Sequence, residues 1–269
     1  LDDMIERFNI TALYLLGVFT RGNNREDWAP DATSPSPFAP MSFKEFESSL
    51  GGESEFDELL KAAHEKGIKI LVDIMPHLNR TSEVLPDEWK VRCYDEYGQL
   101  VVRGSTDGRY GSWADGMLLN YREFGIWRWL GDSIEFLINK GIDGIRFDTA
   151  HAVPIMMKKN NFPLVYETQR SHEDMVKGSI IVNEREYDHL ITTGYYDSAC
   201  RDLIACPIHT YLVRRIRNAL HEKGKSDFLY IAECYWGRER YLTRSGILPY
   251  NMALFKICES ILHGLSDVR

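Results

Sequence analysis

A unit that occurs three times constrains this chain more than any other feature. In each copy an amphipathic helix runs up to a glycine, a short apolar run follows, and the run ends on a carboxylate. Phe56, Leu59, Leu60 and Ala63 recur at helical spacing, Gly67 stops the helix, and residues 68–73 read IKILVD. Trp127, Leu130, Ile134, Phe136 and Leu137 repeat the pattern before Gly141, and residues 144–148 read GIRFD. A helix over Ile208–Leu220 is stopped by Gly224, and residues 228–233 read FLYIAE. Glycine after a helix supplies the left-handed backbone that closes the last turn. Short apolar runs separated by helices read as buried parallel strands. A fourth run, Ile10–Leu16, precedes the first of these helices. At least four parallel strands result. Both of their faces need covering, which leaves an open doubly wound sheet or a barrel. In barrels the reactive groups sit at the carboxyl ends of strands, where Asp73, Asp148 and Glu233 stand.

Three stretches exceed ordinary strand–helix connections. Residues 17–44 are rich in Pro, Ser and Asn, and residues 80–120 contain Tyr94, Tyr97, Tyr110 and Trp113. Residues 154–198 carry Tyr187, Tyr195 and Tyr196 among many charges. Long loops on the reactive face of such a fold shape a substrate groove. The net charge of −8 disfavours a nucleic acid or an anionic membrane surface. No apolar run approaches the roughly 18–20 residues of a membrane span. A neutral substrate such as a sugar fits this balance. The five cysteines (Cys93, Cys200, Cys206, Cys234 and Cys258) are odd in number and lack metal-ligand spacing. They read as reduced thiols of a cytoplasmic protein. The sequence opens on Leu1 without a charged-then-apolar leader, and we expect an internal portion of a longer chain.

Two carboxylates stand out chemically. In GIDGIRFDTAH, alternation along a strand points Arg146 and Asp148 the same way and Ile145 and Phe147 the other way. An arginine beside a carboxylate lowers its pKa, which suits an anionic nucleophile. In FLYIAECYWG, Glu233 leaves an almost wholly apolar run, and partial desolvation raises a carboxyl pKa, which suits an acid. Retaining glycosidases need such a pair, with carboxyl groups about 5–5.5 Å apart. Cys234 reads as a small packing residue. Tyr235 and Trp236 follow the acid directly, and each is a candidate for stacking on a sugar face or for core packing.

At this point the residues resemble the α-amylase superfamily of glycoside hydrolases and transglycosylases. GIRFD resembles the family's strand-four block, so the resemblance assigns the nucleophile to Asp148 and its arginine partner to Arg146. YIAE resembles the strand-five block, which assigns the acid/base to Glu233. ILVDIMPHLNRTS resembles the strand-three block, with Asp73 as its structural aspartate. SPFAPMSF, containing Phe38 and Phe43, resembles the loop that places an aromatic ring at the cleaved sugar, and the role falls on Phe43. DGMLLNYRE resembles the L-N-Y stretch before strand four. The places of Asn and His in the family's strand-three block hold His77 and Leu78, with Asn79 displaced by two; His77 is the candidate contact to a sugar hydroxyl. The same change removes support for the calcium that this block binds in many members, and no other cofactor is implied. His151, three residues after Asp148, matches a variant that resembles transferase-like members. No counterpart of the strand-seven Asn-His-Asp block follows Glu233.

The resemblance implies part of a (β/α)8 TIM barrel, about strands two to five or six, spanning residues 1–269. Loop insertions near 80–120 and 154–198 would sit on the catalytic face. It implies a retaining glycoside hydrolase on α-1,4-linked glucan or maltooligosaccharides. The alternatives are an α-glucan transglycosylase and an inactive amylase-like scaffold. The expected partner is an oligo- or polysaccharide, with no nucleic acid and no membrane.

Overall fold

The structure, a computed structural model, describes residues 1–22, 36–94, 97, 99–102, 104–106, 112–119, 121, 123–150, 180–181, 198–234 and 239–262. Helix α1 (Asp2–Phe8) leads into strand β1 (Ala12–Leu15). Helix α2 (Gly52–Glu65) and strand β2 (Lys69–Ile74) follow. Strands β3 (Val91–Tyr94), β4 (Leu100–Val102), β5 (Gly104–Thr106) and β6 (Ser112–Met117) come next. Helix α3 (Phe124–Lys140), strand β7 (Gly144–Phe147) and the short strand β8 (Ile180–Ile181) continue the chain. Helix α4 (Ser198–Glu222), strand β9 (Leu229–Ala232), helix α5 (Glu239–Arg244), strand β10 (Leu248–Pro249) and helix α6 (Met252–Leu262) complete it.

Five strands form one parallel sheet in the order β1-β2-β7-β9-β10. They run in chain order with no reversal. A sheet wound in two directions has a point where the order turns back; this one has none among the described residues. The three helix stops read from the sequence are left-handed: Gly67 at φ 71°, Gly141 at φ 116° and Gly224 at φ 63°. On α2, Phe56, Leu60 and Ala63 are buried, and on α3 the stripe is Ile126, Leu130, Ile134, Leu137 and Ile138.

The strand register sorts side chains onto two faces. Val72, Ile145 and Tyr230 are paired across the sheet, as are Ile74, Phe147 and Ala232, and all six are buried. This apolar face joins the helix stripes in one core. The opposite face carries Asp73 paired with Arg146 and, one step back, Tyr14 paired with Leu71. Period-two alternation thus keeps the charged groups off the helix-covered face.

Two expectations change. The stretch 80–120, read as a loop insertion, contains two antiparallel strand pairs, β3 with β4 and β5 with β6. The third helix is longer than its apolar spacing indicated, because α4 begins at Ser198, ten residues before the predicted Ile208. The insertion near 154–198 lies almost wholly outside the described residues. Among the described residues, no helix is long and apolar enough to cross a membrane.

Candidate active site

The parallel ladder places the carboxylates. Past the end of β7, the Asp148 N–H donates to the Ile74 carbonyl at 2.8 Å. Past the end of β9, the Glu233 N–H donates to the Phe147 carbonyl at 3.0 Å. Asp73, from inside β2, reaches the same spot. Arg146 lies at the centre of the group. Its Nη1 donates to Asp73 at 3.1 and 3.3 Å and also to Asp148, and its Nη2 donates to Glu233 Oε2 at 2.7 Å. Its Nε donates to the Tyr250 hydroxyl at 3.2 Å, and the guanidinium lies 5.6 Å from that ring's centroid.

Arg146, Asp148 and Glu233 line a cleft of about 210 Å³, together with Phe38, His77, Trp113, Asp115 and Thr149. Asp148 and Glu233 both accept from Arg146 and line the same cleft. Burial pushes Asp148 up. Arg146 pulls it back, and the neighbouring charges of Glu233 and Asp73 raise it further, to a net value well above the usual carboxylate range. Asp73 is pushed up to about 6, chiefly by burial, against the opposing pull of Arg146 and a hydrogen bond from Tyr14. Burial would lower Arg146, but Asp73, Asp148 and Glu233 reverse that and hold it cationic. Burial raises the Tyr14 hydroxyl, and Asp73 beside it adds to the rise.

This corrects the electrostatics expected from sequence. Arg146 does not hold Asp148 below the usual range, because three carboxylates divide one guanidinium in a desolvated place. Nor is Glu233 in apolar surroundings: its Oε2 accepts from Arg146 and from the Thr149 N–H at 3.0 Å. Thr149 has φ 39°, an outlier for a β-branched residue.

Of the residues singled out in the sequence, Asp148, Glu233, Arg146, Asp73 and His77 come together. Phe43 does not. It is 1% exposed, stacked on Trp129 at 5.5 Å and edge-on to Phe19 at 5.2 Å, as part of the core. The ring that lines the cleft from the same loop is Phe38, 40% exposed. His77 lines the cleft, but both ring nitrogens are engaged. Nε2 is 3.1 Å from the Phe38 carbonyl and Nδ1 is 3.1 Å from the Ser105 hydroxyl. Burial lowers its pKa to about 4, so the ring is neutral and ties the Phe38 loop to β5. His151, Tyr235 and Trp236 lie outside the described residues. Among the described residues, no group of three or more His, Cys, Asp or Glu is placed to hold a metal ion.

Tyr14, Thr149 and Tyr250 escaped the sequence reading. Tyr14 sits two places before the end of its apolar run, on the face that alternation assigns to Asp73. Tyr250 had no such signal, since β10 spans only two residues.

The parallel α/β sheet, with its charged cluster at the carboxyl ends of adjacent strands, defines an enzyme-like α/β class. Comparisons with known proteins narrow it. No family model matches the chain. A cyclomaltodextrin glucanotransferase of Geobacillus stearothermophilus is 30% identical over 186 residues, which is 60% of this chain and 23% of that protein. One of Paenibacillus macerans is 27% identical over 154 residues, 48% of this chain and 21% of that protein. The chain thus spans less than a quarter of these relatives. Among solved structures, a maltogenic α-amylase of Thermotoga neapolitana superposes with a TM-score of 0.60 at 15% identity, covering 100% of this chain and 48% of that one. An α-amylase of Lactobacillus plantarum does so with a TM-score of 0.60 at 18% identity, covering 99% of this chain and 51% of that one. The chain is thus similar in sequence to cyclomaltodextrin glucanotransferases and in fold to α-amylases.

Proposed function

We propose that this chain carries the catalytic pair of a retaining glycoside hydrolase acting on α-1,4-linked glucan or maltooligosaccharides. The observation that supports it most is that Asp148 and Glu233 share Arg146 and line one cleft. Retaining enzymes hold such a pair about 5–5.5 Å apart, closer than inverting ones. In this reading β1, β2, β7, β9 and β10 are strands two to six of a (β/α)8 barrel.

The reaction runs in two displacements. Asp148, as the carboxylate, attacks the anomeric carbon while Glu233 gives its proton to the leaving glycosidic oxygen. The bond from the anomeric carbon to that oxygen breaks, and an ester to Asp148 forms. Glu233, now the anion, takes a proton from water, and the resulting attack on the anomeric carbon frees Asp148. The cycle needs the proton on Glu233 and the anion on Asp148, and the charge of Arg146 opposes the burial that raises Asp148. Phe38 and Trp113 offer ring faces to the sugar.

A second reading, transglycosylation, is supported by the glucanotransferase relatives. It differs only in the acceptor, a sugar hydroxyl instead of water. The pair is tested by incubating the full chain with 5-fluoro-α-glucosyl fluoride and weighing its peptides. An adduct on the peptide containing Asp148, lost in Asp148→Asn, is expected. A folded chain that forms no adduct favours the inactive scaffold. Chromatography of products from maltoheptaose then separates the two acceptors: only shorter sugars indicate hydrolysis, and longer ones indicate transfer.

A further inference from the structure

His209 takes no part in the chemistry above, although it is completely buried. It comes from α4, on the helix-covered face of the sheet. Its ring meets Phe147 edge-on, with centroids 5.2 Å apart, and meets the Tyr230 ring at 6.0 Å. Nδ1 is 2.8 Å from the Tyr230 hydroxyl, and Nε2 is 3.0 Å from the Ala150 carbonyl oxygen. These two contacts select a tautomer. A carbonyl oxygen only accepts, so Nε2 carries the hydrogen. Burial holds the pKa at about 4, so the ring is neutral, Nδ1 accepts, and Tyr230 donates to it.

The acceptor is what gives this arrangement meaning. Ala150 ends the turn Asp148-Thr149-Ala150, which begins on the proposed nucleophile. Thr149, in the middle, has the disfavoured φ of 39°. A conformation of that kind persists where its surroundings over-determine it. From the cleft side, Glu233 takes the Thr149 N–H and Arg146 takes the Asp148 carboxylate. From the helix side, His209 donates to the Ala150 carbonyl oxygen. Phe147, just before the turn, is pressed by the same imidazole. A neutral donor secures the turn without adding charge behind three neighbouring carboxylates.

We infer that His209, oriented by Tyr230, is a positioning residue that fixes the 148–150 turn from behind the sheet and so sets the line along which Asp148 attacks. This rests on the reading of Asp148 as the nucleophile. The test uses the full chain with His209→Leu, His209→Gln and Tyr230→Phe. Adduct formation with 5-fluoro-α-glucosyl fluoride is timed, maltoheptaose affinity is measured, and amide hydrogen exchange is followed in the peptide holding residues 148–150. His209→Leu is expected to slow adduct formation about 100-fold, the scale of an ångström-sized misplacement, with affinity changed by less than about 3-fold. His209→Gln keeps an N–H within reach of Ala150 and is expected to recover at least about tenfold of that loss. Tyr230→Phe, which removes one oxygen and spares the fold, is expected to slow the step in the same direction. Faster exchange in the 148–150 peptide, but not in 69–74, is expected in His209→Leu. An unchanged rate, a rate loss matched by an equal loss of affinity, or no recovery with Gln overturns the inference. If the wild type forms no adduct, the nucleophile reading is what fails, and equal exchange in wild type and His209→Leu then overturns the positioning role on its own.

Discussion

Arg146 shares one positive charge among Asp73, Asp148 and Glu233, all largely buried. Removing it leaves carboxylates in a dry place with no counter-charge. Arg146→Ala is therefore expected to cost about 3–5 kcal/mol of stability, read from urea unfolding at neutral pH. Arg146→Lys should recover only part, since an ammonium cannot fork to three acceptors and the Tyr250 hydroxyl at once. Asp73 gives a pH signature. Its pKa rises from the model-peptide 3.8 to about 6 on folding. The folded state then holds the proton more tightly, so this group's contribution to stability falls as pH rises from about 4 to 6 and levels off above. Unfolding free energies across that range should show wild type losing stability relative to Asp73→Asn, by on the order of 3 kcal/mol. A difference that is flat, or of opposite sign, would mean that Arg146 outweighs burial.

At the scale of elements, the wall of the cleft depends on how β6 meets the end of β2. Met117 N–H donates to the Leu78 carbonyl at 2.8 Å, and Arg80 N–H to the Asp115 carbonyl at 2.7 Å. Gly116 lies between them, and a Cβ there would come within 2.6 Å of the His77 ring. The ring has little freedom to retreat, because Phe38 and Ser105 hold its two nitrogens. Gly116→Ala is expected to cost about 1–3 kcal/mol by overpacking. It should also shrink the thermal shift given by maltoheptaose, since His77 secures the loop that presents Phe38. Unaltered stability with an unaltered shift would show that the ring yields. The aromatic packing of Phe43, Phe19 and Trp129 fixes the far side of the same loop. A side chain expected at the substrate thus serves to anchor the one that lines the cleft.

The whole molecule presents apolar surface on α6. Leu254, Phe255, Ile257, Ile261 and Leu262 are all exposed. Leu254, Ile257 and Ile261 share a helical side, so the patch is contiguous. The edge strands add Tyr14 and Leu248. Exposed faces of this kind, beside parallel edges that no described strand covers, promote association. The 269-residue chain by itself is expected to bind a hydrophobic dye and to self-associate at micromolar concentration. Leu254→Glu with Ile257→Glu should reduce both without lowering the melting temperature. Sedimentation as a monodisperse monomer with no dye binding would show that this surface is not adhesive.

The amino-acid sequence alone determined four of the five parallel strands, the glycine stops and the seats of Asp73, Asp148 and Glu233. Each of these is written in spacings of a few residues: a helical stripe, a left-handed cap, a period of two. The shared face of Arg146 and Asp148 follows from the same alternation. Only the tertiary structure decided what surrounds those groups. The Tyr250 hydroxyl meets Arg146 across 104 residues of chain, and Glu233 meets it across 87. The net upward shift of Asp148, the exchange of Phe43 for Phe38 in the cleft and the engagement of both His77 nitrogens all depend on such distant neighbours. A carboxylate's place in a strand is set locally, but its charge state depends on burial and on every ionised group within a few ångströms. The two carboxylates could therefore be found from the sequence, whereas their electrostatics could not.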